Sequence, residues 1–498
     1  MERKVVVAGW GQITQPKNLN TPPLDPMGLM GKAAKSASEM MACKKVLTNL
    51  DGIMIVRTLS HHYTSPAKQL AQNLGAKPKF THISGIGGNS PQTLVNMAAG
   101  MIARNELDSV LIAGAEAYVQ RREKTKRVDS ALFRGIPKDY PGNDLIGSTP
   151  LENQHGIEHP MQGFPLFETA LWAASGVDLK TYLMQIGKMW SDFSRVAVNH
   201  PYSWSKAVKT PGQIITSGPD NRPVAFPYTK FMNSFVTVDQ GAAVILMSEK
   251  TAKKCSQQNR RTVYFLGGGY AEDRQRFMIE KSDFTSSPPL KTAVEKALKR
   301  SCIPLEKIDC FDLYSCFPCA VSIAKKMIGI KNDDPRPLTL TGGLGFFGGP
   351  GNNYNLHGIA TLAQKISFGE KTNGLVTALG WFMHKHAAGV YGSEPLEGEF
   401  KNHDIRDQKD CLAGTDPVKI KGQVTGPGII ETYTVIYAMN QKPSYAVLYG
   451  KTPDNFRFIA RTQNHPDIFN QFTSENRIGQ KVKIKFDPSR NMNIADLI

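Results

Sequence analysis

The sequence predicts an α/β protein whose core is doubled along the chain and followed by a small all-β barrel. Three observations carry this. Short continuous runs of β-branched and apolar residues alternate with helix-length segments, the same pattern restarts near residue 261, and beyond residue 417 it gives way to short alternating strands separated by Gly and Pro. Continuous apolar runs, as opposed to alternating ones, mark strands covered on both faces, which is the situation inside a sheet flanked by helices.

In the first half the strand-like runs fall at 5–8, 52–56, 109–114 and 242–246. Arg261-Thr262-Val263-Tyr264-Phe265-Leu266-Gly267 matches the opening run in kind, and strand-like runs at 310–313 and 374–380 follow it. A pseudo-duplicated core over residues 1–392 accounts for the restart. The stretch 118–232, rich in Pro, Trp, His and Lys, is too long for a plain connection and reads as an inserted cap with a helix at 179–198. A charged linker leads to strands at 418–424, 431–438, 446–449, 456–461 and 481–486, read as a separate barrel. The expected division is 1–250 with its cap, 251–392, a linker at 393–416, and a barrel at 417–498.

With 41% hydrophobic and 21% charged residues, the 498-residue chain has material for large cores, which excludes a disordered, collagenous or coiled-coil protein. No run approaches the roughly 18 uncharged apolar residues of a membrane helix. Met1-Glu2-Arg3-Lys4 leads straight into Val5-Val6-Val7 without a signal-peptide core, so a cytoplasmic protein without membrane insertion is expected. Seven cysteines, an odd and scattered set, predict free thiols. Cys316-Phe317-Pro318-Cys319 has the spacing of a redox pair or half a zinc site, but nothing completes four ligands and no metal is expected.

A net charge of +17 attracts polyanions, whether nucleic acid, acidic lipid or a phosphate-bearing cofactor. The densest basic run, Arg121-Arg122-Glu123-Lys124-Thr125-Lys126-Arg127, reads as a solvated loop. Lys481-Val482-Lys483-Ile484-Lys485-Phe486 reads as an edge strand protected by charge, in preference to a nucleic-acid groove, and no specific nucleic-acid partner is expected.

Several segments in order resemble the thiolase superfamily, specifically its sterol-carrier-protein-2-type thiolase-like branch: Gly114-Ala115-Glu116-Ala117, Val238-Asp239-Gln240-Gly241-Ala242-Ala243, Asp312-Leu313-Tyr314-Ser315-Cys316-Phe317 and Gly342-Gly343-Leu344-Gly345-Phe346-Phe347-Gly348-Gly349-Pro350. The resemblance covers the first four-fifths of the chain. It implies a thiolase fold, with two βαβ halves packed as five layers, α-β-α-β-α. It also implies active-site loops at their junction, and acyl transfer to and from a cysteine with a coenzyme A thioester as substrate or ligand and no other bound cofactor. A homodimer through the strand near 80–85, or a partner subunit, belongs to the same expectation. Glu431-Thr432-Tyr433-Thr434-Val435, Tyr445-Ala446-Val447 and Ile478-Gly479-Gln480-Lys481-Val482 resemble the OB-like half of small proteins that accompany such subunits, without their zinc-binding cysteines.

Thiolase-type chemistry needs a thiolate, best placed at a helix amino terminus. The matching segment, residues 86–96, contains no cysteine. Its Gly87, Gly88, Asn89 and Ser90 read either as a turn whose amides bind a thioester oxygen or phosphate, or as a plain glycine turn before a capped helix. The histidine of the family's HDCF-like segment falls on Tyr314 and the aspartate on Ser315. The cysteine falls on Cys316, which is either the acid/base thiol or an inert small hydrophobe. The histidine of the GHP segment falls on Gly349, beside Gly348. Trp381-Phe382-Met383-His384-Lys385-His386 supplies two imidazoles on opposite sides of an extended chain; the one facing the pocket reads either as a base or oxyanion donor or as a structural histidine hydrogen-bonded near the domain interface. His155 and His159 read as lining the cap side of the acyl pocket, and Asn352, Asn353 and Tyr354 as ligand contacts or an ordinary loop. The expected function is an acyl-CoA-dependent acyltransferase rebuilt around Cys316, His384 and His386, with substrate held by 87–90, Tyr314, Ser315, Gly348, Gly349 and Asn352. The alternative is a non-catalytic acyl-CoA-binding or complex-assembly protein.

Overall fold

The structure, a computed structural model, describes residues 3–16, 22–43, 45–119, 147–255, 260–396 and 411–498. The basic run at 121–127 and residues 397–410 of the expected linker lie outside them. Strands β1 (Val5–Thr14), β2 (Gly52–Ile55), β3 (Phe80–Ile83) and β4 (Ser109–Ala117) precede the cap, whose two short strands are β5 (Pro223–Ala225) and β6 (Tyr228–Thr229); β7 (Asp239–Ser248) follows it. The first half is the sheet β3-β2-β4-β7-β1, with β2 parallel to β3 and β4, and β7 antiparallel to β4 and β1.

The second half contains β8 (Tyr264–Asp273), β9 (Cys310–Asp312), β10 (Asn373–Gly380) and β11 (Lys385–Gly392), in the order β9-β10-β11-β8. Its senses repeat those of β2-β4-β7-β1: β9 and β10 are parallel, and β11 is antiparallel to both neighbours. The counterpart of β3 is not a strand. The carbonyls of Pro337 and Leu338 accept the N–H groups of Phe311 and Leu313 in its place, and a proline there has no N–H to return. The two sheets meet where Val6 pairs with Tyr264.

β2, β4 and β7 are buried along their whole length, as continuous apolar runs require. The helix Pro26–Glu39 covers the outer face of the first sheet and Pro288–Ser301 that of the second. Ser90–Ala103 and Tyr354–Ser367 pack on each other and on strands of both halves, forming the middle of five layers. Both central helices are buried almost throughout.

In the cap, the helix expected at 179–198 runs Leu179–Asn199, its start fixed by the Asp178 carboxylate accepting from the Thr181 N–H. Pro160–Ser175 lies beside it.

After β12 (Leu412–Ala413), which pairs with β8, come β13 (Gly426–Tyr437), β14 (Pro443–Lys451), β15 (Arg457–Thr462), β16 (Lys481–Asp487) and β17 (Met492–Leu497). They close as β13-β14-β15-β17-β16-β13, with β15 and β17 parallel and a helix, Pro466–Ser474, between β15 and β16: an OB-like barrel. Two expectations are corrected here. The stretch 418–424 forms only an isolated bridge from Ile420 to Arg457, and β17 takes the fifth place. β16 is paired on both sides, with β13 and β17, so its lysines do not protect an edge. The barrel also joins the cap: β5 pairs with β13, and the Thr432 hydroxyl donates to the Leu166 carbonyl at 2.5 Å.

The expectation of free thiols throughout is corrected too. Cys43 and Cys255, 212 residues apart, form a disulfide with their Cα atoms at 5.0 Å. The antiparallel β1–β7 pairing sets the start of β1 beside the end of β7, and this brings Cys255, just after β7, to the segment following the first helix. Cys302, Cys310, Cys316, Cys319 and Cys411 are free, and of these only Cys302 is exposed. Among the described residues no helix is long and apolar enough to cross a membrane, and no group of three or more side chains is arranged to hold a metal ion.

Candidate active site at the junction of the halves

Four loops converge where the two halves face each other: residues 85–89 before the first central helix, 313–317 after β9, 341–353 before the second central helix, and the 380–384 turn between β10 and β11. The Gly87 N–H donates to Asn352 Oδ1 at 2.9 Å, and the other end of that amide donates to the Arg57 carbonyl at 2.8 Å. Asn353 likewise donates to the Gly114 carbonyl at 2.7 Å. The Ser234 hydroxyl donates to the Cys316 carbonyl at 2.8 Å, and Ser234 also abuts Gly349. Gly87, Gly88, Tyr314, Cys316, Gly349 and Asn352 are therefore brought to one place.

The first loop has no room for side chains at its two glycines. Gly87 sits at φ +147°, in the region that favours glycine, and a Cβ there would fall 2.3 Å from Asn89 Oδ1. A Cβ at Gly88 would fall 2.0 Å from the Tyr314 hydroxyl oxygen, 2.4 Å from its Cζ and 2.7 Å from the Leu379 carbonyl oxygen. Asn89 and Ser90 are buried, and the Ser90 hydroxyl donates to the Gly85 carbonyl at 2.8 Å. Tyr314 is itself held, its N–H on Thr377 Oγ1 at 3.0 Å and its ring edge-on to Tyr354 at 5.6 Å.

Ser315 is fully buried. Burial pushes the Cys316 thiol well above its ordinary range, so it stands as a neutral thiol. Gly348, at φ +122°, lies against Gln240, where a Cβ would fall 2.3 Å from Oε1. Gly349 differs: a Cβ there would meet Leu344 and Ser234 at an ordinary 3.5 Å, and its N–H donates to the Phe235 carbonyl at 2.9 Å.

The two histidines of the β10–β11 turn part company. His386 lies on β11 with its Nε2 3.0 Å from the Ser287 hydroxyl, at the start of the outer helix Pro288–Ser301. Gly389 and Tyr391, on the opposite face of β11, meet Gln92 of the central helix, so His386 points away from the junction. Burial, with Lys281 nearby, lowers its pKa to about 3. His384 ends a turn in which Trp381 and Met383 adopt positive φ; its ring nitrogens have no partner among the described residues, and burial holds it neutral. His155 is fully buried. Its Nδ1 contacts the Leu151 carbonyl and its Nε2 accepts the Asn493 N–H, linking cap to barrel, while the His159 side chain is exposed.

Two buried polar groupings lay outside the sequence reading. The Glu168 carboxyl accepts the hydroxyls of Tyr182 and Tyr228, each at 2.5 Å, and burial pushes its pKa up to about 7. Gln12, His357, Thr361 and His200 form a chain of hydrogen bonds from β1 through the second central helix to the cap. Burial lowers His357 to about 3 and His200 to about 4, so both rings are neutral. Neither grouping has a local motif, because each assembles residues from distant segments.

Comparison with known proteins agrees with this architecture. A family model described as the thiolase-like protein type 1 additional C-terminal domain matches residues 410–489. A monomeric SCP2-thiolase-like protein type 1 from Mycobacterium smegmatis is similar over 100% of both chains, at 29% identity and TM-score 0.83. Human mitochondrial 3-ketoacyl-CoA thiolase covers 79% of this chain and 99% of its own, at 17% identity and TM-score 0.55. An Ltp2-ChsH2(DUF35) aldolase covers 79% and 98%, at 17% identity and TM-score 0.61. No curated protein matches the chain by sequence. Two like-ordered halves around a pair of buried central helices define the thiolase fold. The chain is a thiolase-like protein with an additional C-terminal domain.

Proposed function

We propose that this thiolase-like protein binds a coenzyme A thioester, alone or on a partner, without carrying the acyl group on a cysteine of its own. The observation that supports this reading is the loop that opens the segment 86–96, which contains no cysteine and in which the Tyr314 hydroxyl fills the space a side chain at position 88 would need. A covalent acyl-transfer cycle needs a thiolate and a base near neutrality. The thiol at the junction, Cys316, is held neutral by burial, and His386 faces the outer helix. The amide of Asn352 is engaged at both ends, and the Gly349 N–H is already given to a carbonyl, so neither is free to receive an oxyanion. The ligand class is carried over from the thiolase named among the similar structures, and the net charge of +17 suits the phosphates of coenzyme A.

Calorimetry and a spectrophotometric assay for released thiol, run on the full chain with acetyl-CoA and longer acyl-CoAs, test it. Binding heat without thiol release is expected. Thiol release that disappears in Cys316→Ala would overturn the proposal in favour of an acyltransferase.

A further inference from the structure

β16 carries Lys481, Lys483 and Lys485 on its outward face, all three exposed and, among the described residues, none in an ion pair. Because β16 is an interior strand, edge protection does not explain them. Residues at alternate positions of a strand share one face and lie about 6.6 Å apart, so the three ammonium groups form a row.

The pairing registers extend the row sideways. Ile429 of β13 is directly opposite Lys481 and, on its other side, Lys451 of β14; Pro427 is opposite Lys483. Directly opposed residues share a face. Ile429 is 46% exposed, and Lys451 and Pro427 are exposed as well. Two carboxylates enter the patch: that of Asp496, opposite Lys483 on β17, and that of Asp487, which ends β16 on the lysine face and is paired with Arg490.

We infer that this barrel face docks the protein onto an anionic lipid surface. The lysines supply the attraction to acidic headgroups, and Ile429, set between two of them, supplies an aliphatic contact with the acyl boundary. The alternative polyanion, single-stranded nucleic acid, is held by grooves that stack bases on aromatic rings. This face presents no exposed aromatic side chain among its described residues. The chain has no spanning helix among its described residues, so the contact is peripheral.

Co-sedimentation of the full chain with phosphatidylcholine vesicles, and with vesicles containing about 30% phosphatidylserine, tests the inference at about 0.1 M salt. Binding to the anionic vesicles alone is expected. Combined Lys481→Gln, Lys483→Gln and Lys485→Gln should weaken it about 100-fold, Lys483→Gln alone about 5-fold, each with an unchanged melting temperature. Ile429→Ser should weaken what binding persists when salt is raised. Equal sedimentation with both vesicle types, no sedimentation with either, or anionic binding untouched by the triple change would overturn the inference. So would binding of a single-stranded oligonucleotide that the triple change abolishes while vesicle binding stays as it was.

Discussion

Replacing Glu168 with glutamine should make the protein more stable in neutral and alkaline solution and leave it unchanged in acid. In the native state burial holds the carboxyl protonated up to about pH 7, overriding the two tyrosine hydroxyls that favour its anion. In the unfolded chain it ionises near its ordinary 4.5. Between those values the native state binds the additional proton, so stability falls as pH rises, and above pH 7 the loss is complete. At 1.36 kcal/mol per unit, a difference of this size amounts to about 3 kcal/mol. Glu168→Gln removes the ionisation while keeping an amide oxygen for a tyrosine hydroxyl. Urea unfolding of both proteins at several pH values from about 4.5 to 8 reads the effect. The variant should match the wild type at the acid end and exceed it by about 3 kcal/mol at the alkaline end. A difference that does not change with pH would show that Glu168 does not change its protonation on unfolding in this range. A wild type that gains on the variant as pH rises would show that Tyr182 and Tyr228 stabilise a buried carboxylate instead.

Three further outcomes follow from contacts at and around the site. Gly88→Ala should destabilise the fold by about 2 kcal/mol or more, because its methyl meets Tyr314 and a backbone carbonyl, whereas Gly349→Ala should be neutral or mildly stabilising in the same thermal melt. Thiol titration of the denatured, unreduced protein should find five reactive groups and, after reduction, the two of Cys43 and Cys255 as well; in the native state Cys302 alone should react promptly. Asp273→Ala should cost about 3–5 kcal/mol, because it strands Lys281, whose ammonium lies 2.8 Å from that carboxylate with both side chains buried.

Strands whose apolar runs were dense, such as β4 and β7, were legible because burial on both faces leaves a local trace. β17 was not: Met492-Asn493-Ile494-Ala495-Asp496-Leu497 contains residues poor in strand propensity, and closure of the barrel puts it in the sheet. β11 was hidden for a related reason, since its two glycines and two alanines look like loop until the helices packed on both its faces need small residues beneath them. At the site, motif order located the loops that converge. Their chemistry was not legible, because whether Gly88 can bear a side chain depends on Tyr314, more than 200 residues away, and the face His386 takes depends on the register of β11 against β8 and β10.

The central claim is that no cysteine of this chain carries an acyl group, and intact-protein mass spectrometry after incubation with acetyl-CoA and longer acyl-CoAs tests it most directly. A protein with no acyl-carrying cysteine keeps an unchanged mass, and the thioester is recovered whole. An acyl adduct on the native protein that maps to Cys316 and is absent from Cys316→Ala would contradict it.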